Sequence, residues 1–191
     1  MPVVESPSET IERQLQALQQ RIAALEQRPA PAGGDGMALL VFSGELDRLL
    51  AAFTVATGAA ACGMPVSMFF TFWGAAALKK AGPQVGAKSL VERMFGWMLP
   101  GGLGRRALSR LDMAGVGRAL LGREMRRKQI PDLPALIALA AESGVQVYVC
   151  DTTMHLMGIR HEELIDFPGR KVCGVAQFVD LAANARSTLV I

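Results

Sequence analysis

Cysteine is scarce in this chain of 191 residues: Cys62, Cys150 and Cys173 are the whole complement, an odd number that closes no disulfide framework and suits a reducing compartment with free thiols. One Tyr, two Trp and eight Phe leave too few aromatics for a surface that stacks nucleic-acid bases. Charged residues make up 19% and nearly balance, 20 Lys+Arg against 17 Asp+Glu, so the net +3 does not by itself argue for nucleic acid. No basic segment followed by an apolar core opens the chain, and no signal peptide is expected. The phosphate-cradling patterns GxGxxG and GxxxxGKS or GxxxxGKT are missing. CxxC is missing too, and the spacing of Cys150, His155, His161 and Cys173 matches no compact zinc pattern, so no metal centre is expected. What is there is 51% hydrophobic residues, which rules out a disordered chain and fits one globular domain with appendages.

Residues 49–78 hold no Asp, Glu, Lys or Arg, a run long enough to span a membrane. Gly58, Cys62, Gly63 and Pro65 interrupt it, and it reads better as helix, turn and buried strand. In a parallel sheet covered on both faces, strands are near-continuous apolar runs, so the missing charge is what that architecture needs.

Near the start, Ile11, Leu15, Leu18, Ile22 and Leu25 recur at alternating spacings of four and three, a short heptad seam. Two readings stand: a short coiled coil, or one amphipathic helix lying on its own domain. Residues 28–36, with Pro29, Pro31, Gly33, Gly34 and Gly36, form a linker, so an N-terminal region over 1–36 precedes an α/β domain over 37–191. Within that domain the pattern predicts a strand over 37–42, a helix through Leu46, Leu49, Leu50, Phe53 and Ala60, a strand over 66–70 and an Ala-rich helix ending near Lys79 and Lys80. The rhythm resumes with a helix over 134–142, a strand over 145–149 ending at Cys150, a helix over 174–185 and a closing strand over 187–191. Alternation of this kind implies a three-layer, flavodoxin-like or Rossmann-like parallel sheet with right-handed crossovers.

An insertion at about 81–130 breaks the rhythm. It carries Met94, Phe95, Trp97, Met98 and Leu99, then a stretch whose bases are Arg105, Arg106, Arg110, Arg118, Arg123, Arg126, Arg127 and Lys128 against Asp112 and Glu124 alone. A basic segment beside an apolar patch suits a membrane surface or an acidic protein partner, and equally a solvated helix capping the sheet.

Ligands of open parallel sheets bind beyond the carboxyl ends of the strands. Ser43 and Gly44, then Thr71, Phe72, Trp73 and Gly74, then Cys150, Asp151, Thr152 and Thr153 therefore share one edge. Cys62 precedes its strand and belongs to the opposite edge, as a buried inert thiol. Cys150 ends a strand at the start of a helix, whose free N–H groups and dipole favour the thiolate, while Asp151 opposes it. A buried packing cysteine is the competing reading. His155 lies about one turn on, as a pocket base or an ordinary surface histidine. Cys173 stands just before the last helix, on a loop that approaches the same edge, either as a thiol that resolves a Cys150 persulfide or as a spare one.

The ordered set Phe69-Phe70-Thr71-Phe72-Trp73-Gly74 with Leu78-Lys79-Lys80, Val149-Cys150 followed by Met154, Met157-Gly158-Ile159, Glu162-Glu163-Leu164-Ile165-Asp166, Gly174-Val175-Ala176 and Thr188-Leu189-Val190-Ile191 resembles the DsrE/DsrF/DsrH-like sulfur-relay family. It is most similar to the long DsrE-type subgroup with an insertion before the cysteine strand. The resemblance implies a cytoplasmic sulfur carrier or sulfurtransferase in which Cys150 accepts sulfane sulfur as a persulfide from a TusA-type or rhodanese-type donor protein and passes it on. It implies no metal or organic cofactor, and a homo-oligomer. Phe72 and Trp73 would wall the pocket, with Ser43 on the same edge, and Thr152 and Thr153 would hydrogen-bond the persulfide. Two other classes compete: a non-catalytic scaffold or membrane-peripheral protein working through the basic insertion, and a peroxide-reducing thiol enzyme. The latter needs a cation beside its thiol, and no Arg or Lys lies close in sequence to Cys150.

Overall fold

The structure, a computed structural model, describes residues 34–191 apart from 87, 100, 104 and 105, and in addition Gln16. The heptad seam over 11–25 lies outside the described residues, Gln16 excepted, as do residues 28–33 of the linker.

Five strands, β1 (Gly36–Val41), β2 (Val66–Phe70), β3 (Gln146–Cys150), β4 (Lys171–Cys173) and β5 (Ala185–Val190), form one sheet in the order β4-β3-β2-β1-β5, and every pairing is parallel. The helices among the described residues are α1 (Leu46–Ala61), α2 (Phe72–Ala77), α3 (Leu90–Met98), α4 (Val116–Arg127), α5 (Leu133–Glu142), α6 (Asp151–Met157) and α7 (Val175–Ala183). This is the α/β class expected from the sequence, with helices on both faces of a parallel sheet.

Topology decides which face each helix takes. From β1 to β4 the chain moves steadily across the sheet, so right-handed crossovers put their helices on one side. The step from β4 back to β5 reverses direction, and α7 falls on the other side.

Alternation along each strand divides the core accordingly. Leu39, Val41, Met68, Phe70, Val147 and Val149 pack with α1 and α5 in the larger cluster, where the Phe53 and Phe70 rings lie 5.9 Å apart. Leu40, Phe69, Tyr148, Cys150 and Cys173 point the opposite way, toward Phe178 and Leu181 of α7. Phe69 and Phe178 meet there at 5.5 Å.

The charge-free run over 49–78 resolves into most of α1, a turn, β2 and α2. No helix among the described residues is long and apolar enough to cross a membrane. Two expectations need correction. Cys62 caps the C-terminus of α1 and is exposed and not buried, because the helix end and the turn that follows, through Gly63, face solvent. Cys173 lies in a strand, β4, and not on a loop. Three residues at the sheet edge are too few to announce themselves by periodicity.

Inside the insertion, α3 starts with a reciprocal cap: Glu92 N–H donates to Ser89 Oγ at 3.2 Å and Ser89 N–H to Glu92 Oε2 at 2.7 Å. The segment is tied to the domain by Lys88, whose Nζ lies 2.6 Å from Glu163 Oε1 with both side chains buried. Val85 and Arg160 add N–H bonds to the same carboxylate. Arg106 is buried as well, donating to Ala76 O at 2.7 Å, so the sequence count overstates the charge this region shows to solvent.

Candidate functional site

The alternation that sends Tyr148 and Cys150 toward α7 does the same for Phe69 and, one residue past the end of β2, Thr71. Because Phe70 pairs with Val149, Thr71 arrives beside Cys150. Thr153, in the first turn of α6, completes the group: its Oγ1 lies 3.0 Å from Thr71 Oγ1 and accepts the Phe72 N–H at 3.1 Å. The Thr153 hydroxyl accepts from Phe72 through one of its two lone pairs and keeps its proton to donate to Thr71 or to sulfur.

Phe72 reaches this position at φ 44°, in the left-handed region. Such a conformation costs on the order of 1–3 kcal/mol for a residue other than glycine and persists only where its surroundings hold it. Two glycines permit the local geometry. A Cβ on Gly74 would stand 2.2 Å from Val41 O, and one on Gly44 would stand 2.6 Å from Trp73 O, so the turn after β2 presses directly on the chain leaving β1.

The thiol's titration follows from this surround. Burial pushes Cys150 up, but the nearby Thr153 N–H, the Thr153 and Thr71 hydroxyls and the Thr152 N–H favour its anion and outweigh burial, so the group is held below the ordinary thiol value. The Thr152 N–H is shared, since it also donates to Asp151 Oδ1 at 2.5 Å. Cys150 makes no side-chain capping bond to α6, so these groups act on the sulfur as nearby donors that favour its charged form. Cys173 behaves oppositely: burial, then the charges of Asp151 and Cys150, push it above the ordinary value against the pull of Lys171. Asp151, which sequence reasoning set against the Cys150 thiolate, thus acts on Cys173.

The other expected site residues divide clearly. Thr71, Thr152 and Thr153 border the sulfur. Ser43 is buried but gives its hydroxyl to Glu45. Phe72 and Trp73 are 51% and 46% exposed, forming an apolar rim and not the wall of an enclosed pocket. Trp73 also lines a cleft of about 290 Å³ with Gly44, Glu45, Leu99 and Arg106, and a cavity of about 680 Å³ lies at Lys79, Lys80, Trp97 and Glu163; Cys150 lines neither. Cys150 itself is only 5% exposed, because α7 covers that face of the sheet. His155 is exposed on α6.

Sequence reasoning found the edge, yet the point where strand order reverses lies between β1 and β5, and the thiol sits two strands away. It missed the Lys88–Glu163 pair, for which no local pattern exists, and the register of Cys173.

Residues 34–190 match the family described as DsrE/DsrF/DrsH-like. The chain belongs to that family. Among relatives of this DsrE-like chain, the uncharacterized protein YrkE of Bacillus subtilis is 39% identical over 128 residues, 67% of this chain and 80% of its own length. The sulfur carrier protein DsrE2 of Allochromatium vinosum is 30% identical over 159 residues, 81% of this chain and 97% of its own length.

Proposed function

We propose that this protein is a sulfur carrier or sulfurtransferase of the long DsrE type, holding sulfane sulfur as a persulfide on Cys150. The observation that carries the reading is the strand register that sets Thr71 beside Cys150, with Thr153 bonded to Thr71 at 3.0 Å, which gathers hydroxyl and backbone donors at one sulfur and holds it below the ordinary thiol value. Family membership and the likeness to a named sulfur carrier support a sulfur-relay role. In the transfer, the Cys150 thiolate attacks the outer sulfur of a donor persulfide, the donor's S–S bond breaks and the donor leaves as a thiolate. The same donors then face the sulfur that holds the cargo. The donor protein is of the TusA or rhodanese type, and it reaches the buried sulfur at the strand-end edge, where Thr152, Phe72 and Trp73 are exposed. The protein works as a homo-oligomer in the cytoplasm.

The test is intact-mass analysis immediately after mixing reduced protein with inorganic polysulfide. One added sulfur is expected on the native chain, on Cys62→Ser and on Cys173→Ser, and none on Cys150→Ser. Equal loading of Cys150→Ser would overturn the assignment.

One observation favours a second reading, peripheral attachment to an anionic membrane. Leu90, Val91, Met94, Trp97 and Met98 all face solvent on α3, and α4 ends in Arg126 and Arg127. Flotation with vesicles containing phosphatidylserine is expected to carry the protein, and carrying Trp97→Ser and Met94→Ser equally well would remove the reading.

A further inference from the structure

Cys150 and Cys173 are direct partners in the parallel ladder of β3 and β4. Residues in register project to the same face, and both side chains belong to the cluster under α7. Neighbouring strands lie about 4.8 Å apart. That spacing falls within the roughly 4.4–6.8 Å between Cα atoms that a disulfide spans. Cys62, at the far edge, has no comparable neighbour. The chain therefore carries, beside the sulfur that holds the cargo, a second thiol at bonding reach.

We infer that Cys173 gives this protein a second activity, the reductive release of its bound sulfur as sulfide. The inference rests on persulfide loading at Cys150. The Cys173 sulfur attacks the inner sulfur of the Cys150 persulfide, a Cys150–Cys173 bond forms and the bond to the terminal sulfur breaks. The proton of the Cys173 thiol leaves with that sulfur as hydrosulfide. The sulfane sulfur is reduced by two electrons, the two cysteine sulfurs are oxidised to a disulfide, and no outside oxidant takes part. A dithiol reductant, the class of reagent that opens such disulfides by exchange, restores the two thiols.

Asymmetry between the two groups sets the order of events. Cys150, favoured as thiolate, is the sulfur that takes up cargo; Cys173, held as a thiol by burial and by Asp151, does not compete for it. Attack requires thiolate character, so the same features slow the discharge and leave time for transfer to an acceptor protein. Cargo that meets no acceptor leaves as sulfide.

The experiment loads the full chain with polysulfide, removes excess reagent and follows intact mass, released sulfide and peptide-mapped crosslinks, for the native chain and for Cys173→Ser. The native chain should lose its added sulfur, release sulfide in equal amount and acquire a Cys150–Cys173 disulfide; Cys173→Ser should load equally and keep its persulfide. If both load and both keep the sulfur, with no crosslink, the discharge is wrong and the carrier reading stands. If Cys173→Ser fails to load while its circular dichroism is native, the carrier reading itself fails. A crosslink from Cys150 to Cys62, or between chains, overturns the assignment to Cys173.

Discussion

In the sheet, Leu39, Val41, Met68, Phe70 and Val149 are removed from solvent altogether, whereas in α3 of the insertion Leu90 and Trp97 are 84% and 83% exposed. Both regions are rich in apolar side chains. The sheet spends them on its own stability: two layers of helix close over strands whose neighbours supply the remaining contacts. Within the insertion, no residue of α3 is buried, although Leu99 and Leu103 beyond it pack against the core. The Ser89 cap fixes the start of α3, and the Lys88–Glu163 pair ties it to the domain. Apolar residues that close a core are explained by folding, and apolar residues left outside one are free to meet a partner.

That contrast breaks first at the core. Phe70→Ala should cost about 3–5 kcal/mol in urea unfolding, the usual range for removing a fully buried aromatic ring. A loss near zero would mean that the sheet is not the stabilising unit. Next comes the pair that anchors the insertion. Lys88→Met takes the paired ammonium from the buried Glu163 carboxylate, leaving it the N–H bonds of Val85 and Arg160, at a cost of about 3 kcal/mol, and Lys88→Met combined with Glu163→Leu should recover much of the loss. The pH dependence has a definite sign. Burial raises the Glu163 carboxyl, but Lys88 and the N–H bonds of Val85 and Arg160 hold it below its ordinary value. Its stabilisation is therefore complete above the ordinary carboxylate range and is lost as pH falls through the folded-state value. Unfolding midpoints across acidic pH should fall in the native chain and stay flatter in the double variant.

The site gives a subtler test. Thr153→Val keeps the shape but removes one hydroxyl from the sulfur, so the midpoint of iodoacetamide alkylation at Cys150 should move to higher pH, with Thr71→Val moving it in the same direction. An unchanged midpoint in both would show that the hydroxyls do not hold the thiolate. The smallest effect belongs to the insertion's surface: Trp97→Ala should alter stability by no more than about 0.5 kcal/mol. A core-sized loss there would erase the distinction between the two regions.

Much of this was legible along the chain. A strand over 66–70 was expected and found at those residues, and the helix after the first strand begins at Leu46 as read, because apolar runs bounded by Gly and Pro are local signals. The segment carrying Cys150 was legible for the same reason. The edge strand of Cys173 was not, since Lys171, Val172 and Cys173 form no periodic pattern, and their pairing with β3 depends on residues more than twenty positions away. The burial of Lys88 and Glu163 was illegible too, because each is an ordinary charged residue until the fold brings them together.

The sequence by itself determined the alternation of strand and helix, the all-apolar strands that a doubly covered sheet requires, and the placement of Cys150 where a strand ends and a helix begins. These follow from short-range chemistry: side-chain periodicity, turn residues and caps. Only the tertiary structure decided what surrounds that sulfur. Strand order and register put Thr71 on one side of it, Cys173 on the other and α7 above it, and such neighbours are chosen by how distant segments pack and not by the residues adjacent to Cys150 in the chain.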